Sequence, residues 1–142
     1  MKALSLLQPW ASLVVIGRKT IETRSWSTRH RGELLIHAST GRSGALLAAE
    51  SPFVELLPPF DQLPRGALIG KVVLKDVVSL SELNLSDGTI NLLTLEERAF
   101  GDYRPGRYAW LLEQPLRFRQ PIPVKGGLGV WDYSGALPPD PG

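Results

Sequence analysis

Apolar positions in this chain come in short blocks, separated by Pro, Gly and charged residues. Residues 2–7 read as a first strand. Residues 9–17 read as a short helix. Pro9 suits its first turn, where the missing N–H is not needed, and Gly17 suits its stop. Residues 19–26 and 32–39 read as strands joined by a loop over 27–31, a hairpin with the basic tip Arg29-His30-Arg31. Ser43 is placed to cap a helix over 44–50, ended by Ser51-Pro52. The Pro-rich residues 53–64 read as irregular. Residues 66–80 carry β-branched clusters (Ile69, Val72, Val73, Val77, Val78) and read as one long or bent strand. Residues 81–93 read as a surface connection and 94–100 as a short helix, with Thr94 and Glu97 at capping-box spacing. Residues 107–119 read as a strand that 121–124 extends or pairs with, and 126–131 close the domain.

Five or six strands with two or three short helices and no regular βαβ alternation predict an α+β, mainly β chain. The expected architecture is a small mixed or Greek-key β-barrel with flanking helices. At 142 residues the chain fits one domain, expected over 1–136 with a disordered tail over 137–142. The absence of cysteine excludes disulfides and thiolate metal sites. No stretch approaches the ~20 apolar residues of a membrane helix. The apolar run over 3–7 stops at Gln8-Pro9, too short for a signal peptide, and the expected location is cytoplasmic. No pattern specifies an oligomeric state.

The net charge of +2 is small, but its distribution is uneven. Residues 1–42 carry seven Lys/Arg against Glu22 and Glu33, whereas 43–103 carry four against nine acids. Two basic ends joined in the fold would make a surface that attracts phosphate. A solvated basic face without a partner explains the same distribution.

The densest chemistry lies in Gly17-Arg18-Lys19-Thr20-Ile21-Glu22-Thr23-Arg24-Ser25-Trp26. Alternation along a strand puts Thr20, Glu22, Arg24 and Trp26 on one face and Ile21 on the other. A cation, a carboxylate and an aromatic ring on one face can hold a nucleobase: the ring stacks, and the charges meet a polar edge or a phosphate. A solvent-facing strand with cross-strand ion pairs fits the same pattern.

This string, with Gln8-Pro9-Trp10-Ala11 before it, resembles the start of an ASCH domain, a PUA-like family marked by Gly-x-Lys-x-x-Glu-x-Arg. Gly32-Glu-Leu-Leu-Ile-His-Ala38, Gly66-Ala-Leu-Ile-Gly-Lys-Val72, Arg107-Tyr-Ala-Trp110 and Lys125-Gly126 with Val130-Trp131 resemble the family's later strands, in order. The resemblance implies a PUA-like β-barrel with a cleft beside the Lys19-Glu22-Arg24 strand, and RNA as the general ligand. Some members remove an acyl group from modified cytidine, and nuclease activity is proposed for others. In the deacylating members a lysine matching Lys19 lies beside a threonine three residues on, with a glutamate from elsewhere. Lys19 carries over, but Glu22 occupies the threonine position. The glutamate corresponds to Glu96 or Glu97, and a capping role for Glu97 competes with that assignment.

Three readings follow. The first is a module that binds RNA, a nucleoside or a nucleotide, with Trp10, Lys19, Glu22, Arg24, Trp26, His37 and Ser39 as ligand-binding residues. The second is a hydrolase, acting on acylated cytidine or on RNA, with Lys19 and Glu22 catalytic. The third is a protein–protein adaptor without a small ligand. Trp10 serves either as a stacking platform or as the anchor of the first helix. His37 either lines the cleft or is structural. Trp110 and Trp131 read as core. Lys125 precedes a glycine pair whose N–H groups suit a phosphate, although a tight turn also explains the glycines. Residues 39–44 lack the Gly-Lys-Ser/Thr ending of a P-loop. His30 and His37 make no metal ligand cluster, and no cofactor is expected.

Overall fold

The computed structural model describes residues 1–80 and 95–137. The expectations for residues 81–93, for Thr94 as a cap and for the end of the tail lie outside the described residues. Strands β1 (Lys2–Leu6), β2 (Ile21–Arg24), β3 (Gly32–Ala38), β4 (Ala67–Ser79), β5 (Tyr108–Pro123) and β6 (Val130–Asp132) form one sheet, in the order β2-β5-β4-β3-β1-β6. β1 and β3 run parallel, and the other neighbours are antiparallel. Helices α1 (Trp10–Val15), α2 (Ala45–Ala48), α3 (Phe53–Leu56) and α4 (Leu95–Phe100) flank it, with a 3-10 turn over Phe60–Gln62. The chain is mixed and mainly β, as its pattern predicts. The sheet is open, so barrel describes it only loosely. Its edges still approach one another: a Cβ on Gly129, just before β6, would sit 3.9 Å from the Trp26 ring, just after β2.

The hairpin expected between β2 and β3 does not exist. β2 pairs with β5, Glu22 opposite Trp110, while β3 lies between β4 and β1. The exit from β2 is fastened to β5, because Trp110 Nε1 donates to the Trp26 carbonyl at 3.2 Å. The two indoles also meet edge-on, with centroids 4.9 Å apart. Residues 27–31 are therefore a crossover, not a hairpin tip. Arg31 spends its guanidinium on the carbonyls of Thr28 and His30 and on Asp76.

β3 is buried on both faces. Leu34, Ile36 and Ala38 join the cluster beneath α1, and Leu35 joins Ala3, Leu68 and Phe118 on the other side. α1 is buried from Ala11 to Val15, so its apolar character all round is that of a core helix, and packing outweighs its β-branched residues. Pro9 sits at the cap of α1, where its carbonyl accepts from Leu13 N, and Gln8 holds the start. The buried Gln8 side chain accepts from Ser12 N and donates to Ser12 Oγ and Pro64 O. Gly17, at φ +82°, turns the chain, and Arg18 N and Lys19 N both donate to Leu13 O. These two hydrogen bonds to the last turn of α1 fix the backbone that carries Lys19.

Three local expectations differ. Ser43 does not cap α2; Gly44 sits at the cap, and backbone bonds such as Ala45 N to Arg42 O hold the turn. Residues 53–64 contain α3 and the 3-10 turn, because Phe53 and Phe60 are buried and anchor them. Residues 121–123 continue β5, whose register against β4 shifts at irregularities.

Candidate functional site

A cleft of about 490 Å³ opens where the end of β2, the start of α1 and the segment after α4 meet. Glu22, Arg24 and Asp102 supply its charge together with Arg107; Trp10 and Phe100 supply apolar wall. Glu22 is only 8% exposed. Its carboxylate stands 3.3 Å from Arg24 Nη1 on one oxygen and 3.7 Å from Lys19 Nζ on the other.

Lys19 does not face the cleft. It precedes β2 and lies behind Glu22, 1% exposed, with Nζ donating to the Ile21 carbonyl. Burial lowers its pKa, opposed by the charges of Glu22 and Glu97. Glu97, from α4, is buried here too, and one of its oxygens accepts from Thr20 N at 2.8 Å. Burial raises its pKa, against the bonds from the β2 approach and the charge of Lys19. The fold thus unites Lys19, Glu22 and Glu97, and the Glu97 carboxylate serves the turn before β2.

Asp102 and Arg107 form the opposite rim. Arg107 donates from Nε to Asp102 O and from Nη2 to Thr23 O. Thr23 Oγ accepts from Asp102 N at 3.0 Å, which ties the segment after α4 to β2. Asp102 is held by Arg104 at 2.6 Å, and that hydrogen bond lowers its pKa to about 2. The Tyr103 hydroxyl is buried without a hydrogen bond among the described residues. Burial, then the charges of Glu97 and Glu22, push it above the ordinary tyrosine range.

Trp10 does both things its position suggests: it lines the cleft, and its ring meets Phe53 edge-on at 6.2 Å. Trp26 lies outside the cleft, half-buried on Trp110, with the Arg24 guanidinium 5.4 Å from its ring centroid. Ser39 lines the cleft; His37 does not. His37 is locked in place: Nε2 donates to Val124 O at 2.7 Å, and Nδ1 meets Ser5 Oγ at 3.0 Å. Trp110 is fully buried, and Trp131 is half-buried against His37. His30 bonds Glu33 O, and among the described residues no group of His, Asp and Glu could hold a metal ion.

Reading the sequence misses Phe100, Asp102 and Tyr103 as site residues and takes Arg107 only as a strand start. The available signal is the turn chemistry of residues 101–106, which mixes Gly and Pro with charge directly before the strand that pairs with β2. No helix among the described residues is long and apolar enough to cross a membrane.

The ASCH domain profile matches residues 4–121. The mouse protein activating signal cointegrator 1 is 31% identical over 140 residues, which covers 94% of this chain and 22% of that protein. Its human counterpart is 30% identical over the same length. The chain thus spans about a fifth of the curated relatives it matches. The crystal structure of ASCH from Zymomonas mobilis superposes with a TM-score of 0.52 at 20% identity, over 87% of this chain and 73% of that one. A serine-to-alanine mutant of that same bacterial protein gives 0.52 at 22% identity, with the same coverage of both chains. These structures share the PUA-like fold. With the family profile matched over most of its length, the chain belongs to the ASCH domain family.

Proposed function

We propose that this domain binds RNA by taking one nucleotide into the cleft beside β2. The observation that carries this reading is a buried carboxylate, Glu22, on the cleft floor, flanked by Arg24 and facing Arg107. An acceptor in a poorly hydrated site recognises N–H donors on a base edge, because a ligand lacking them leaves it unpaired. The guanidiniums suit phosphate oxygens, which they can meet two at a time. Trp10 and Phe100 give an apolar wall against which a base packs. The association of ASCH domains with RNA supports the same reading.

Thermal-shift measurements with nucleosides, nucleotides and short RNAs, on wild type and Glu22→Gln, test it. A ligand at a hundred times its Kd adds about 2.7 kcal/mol of stability. The expected result is a shift with a nucleotide that Glu22→Gln removes, and an affinity that falls with salt. Absence of any shift, or one indifferent to Glu22, overturns it.

A hydrolase reading has one observation behind it. Glu97 lies beside Lys19, the lysine and distant glutamate that the deacylating members combine. Against it, Glu22 stands between Lys19 and the cleft, and the Lys19 side chain is 0% exposed. Release of cytidine from acylated cytidine, abolished in Lys19→Ala, would favour the hydrolase; binding without turnover favours the module.

A further inference from the structure

A second cavity of about 350 Å³ adjoins the cleft, and Ser5 and Ser39 line both. The two spaces are therefore neighbours across a ridge of two hydroxyls. Their chemistry differs. The cleft contains two carboxylates, Glu22 and Asp102. The second cavity contains none; its lining includes Thr40, His37 and the loop from Lys125 to Leu128.

The floor of this cavity holds no carboxylate and is fixed by hydrogen bonds. Val124 O can only accept, so His37 Nε2 carries the proton it donates there, and Nδ1 lies 3.0 Å from the Ser5 hydroxyl in a second hydrogen bond. Trp131 Nε1 in turn donates to Ser5 Oγ at 3.1 Å. The loop above lies directly on this floor. A Cβ on Gly126 would fall 2.6 Å from Ser5 Oγ and 2.7 Å from the His37 ring. Only glycine permits that approach. The contact sets the loop's height over the cavity, with Lys125 at its start and Leu128 at its tip. Lys125 is exposed and makes no ion pair among the described residues. Leu128 is 98% exposed. Arg65, which stacks on Phe60 and bonds Thr40 O, adds a cation beside the rim.

A cavity with cations and hydroxyls but no carboxylate suits an anion. An exposed leucine over it suits a flat apolar face. We propose that this cavity is the subsite for the nucleotide adjoining the one in the cleft. The linking phosphodiester crosses the Ser5–Ser39 ridge and meets Lys125, and the second base lies under Leu128. The recognised unit is then at least a dinucleotide. This inference rests on the cleft binding a nucleotide.

The test compares a nucleoside, its 5′- and 3′-monophosphates, inorganic phosphate and the four homodinucleotides, on wild type, Lys125→Gln and Leu128→Ser. Both variant positions are exposed, so folding is preserved. The expected result is that a dinucleotide binds wild type at least tenfold tighter than either monophosphate. Lys125→Gln removes most of that gain and lowers the salt slope by about 0.7, one phosphate contact on a single strand. Leu128→Ser weakens the dinucleotide several-fold with the slope unchanged. Neither variant alters nucleoside binding. A dinucleotide no tighter than a monophosphate, or one indifferent to Lys125, overturns the subsite and leaves the cleft reading standing. Inorganic phosphate that competes fully with the dinucleotide also overturns it, since the site would then be a phosphate site alone. If no nucleoside, nucleotide or dinucleotide binds wild type, both readings fall.

Discussion

The two adjoining cavities are built on opposite electrostatic plans. Behind the cleft, Lys19, Glu22 and Glu97 are buried together, and Arg24 continues the row outward. Under the second cavity, Trp131, Ser5, His37 and Val124 O form a chain of hydrogen bonds with no carboxylate in it. A row of charges depends on mutual compensation, so loss of one member leaves the others buried and unbalanced. A chain without carboxylates loses the bonds that the missing member made. The first plan leaves a charged group poised at a surface, where a ligand can share it. The second fixes a shape.

Lys19→Met breaks or confirms this contrast most directly. It removes the cation and leaves the buried Glu22 and Glu97 without its charge. The expected loss is about 3–5 kcal/mol in urea unfolding, the range for breaking a buried pair from one side. Lys19→Met combined with Glu97→Gln recovers part of it, because one uncompensated charge is gone. A loss below about 1 kcal/mol, with no recovery in the double variant, would mean that the charges are solvated and the contrast is false.

His37→Ala comes next. It removes the ring that bonds Ser5 Oγ and Val124 O and leaves Ser5 its bond from Trp131, with an expected loss of about 1–3 kcal/mol for the lost hydrogen bonds and a further cavity contribution. The same measurement carries a second readout: nucleoside binding in the cleft is unchanged, since His37 does not line it. A His37 variant that loses more stability than Lys19→Met would reverse the ranking of the two floors.

Much of the fold is legible from local pattern, and the failures have a common cause. The β-branched run of β4, the stop at Gly17 and the ordered family pieces each depend on residues close in sequence. The pairing of β2 does not. Its partner, β5, lies far along the chain, and tertiary contacts such as Trp26–Trp110 and Arg107–Thr23 hold it there. A strand read in isolation pairs with its nearest neighbour, and that produced the false hairpin. The same limit applies to the site. Glu22 and Arg24 are legible as neighbours on one strand face. Lys19 is not placed by alternation, because it lies in the turn before β2, where two bonds to Leu13 O fix its backbone. Glu97 fits a capping spacing, yet its carboxylate is drawn to Thr20 by a tertiary contact that no local rule contains. Asp102 and Arg107 reach the cleft only because Thr23 anchors the segment that carries them.

The smallest expected effect concerns Asp102, where the cleft meets solvent. Its hydrogen bond from Arg104 lowers its folded pKa from 3.8 to about 2, with Arg107 a lesser contributor. A carboxyl lowered on folding binds fewer protons in the native state. Its contribution is therefore fully present above the unfolded value and is lost as pH falls toward the folded one. Because the pair is at the surface, the effect on stability is slight. The site responds more than the fold does. In Arg104→Ala the Asp102 titration, followed by carbon NMR of the side-chain carboxyl, moves up toward 3.8. Asp102 is then released to Arg107, 3.6 Å away in the intact rim. A tighter Asp102–Arg107 pair competes with a ligand phosphate for the same guanidinium, so nucleotide affinity falls by a few-fold while the nucleoside is unaffected. An affinity independent of Arg104 would mean that Arg107 does not meet the phosphate. The charge that matters in the cleft would then be that of Arg24 alone.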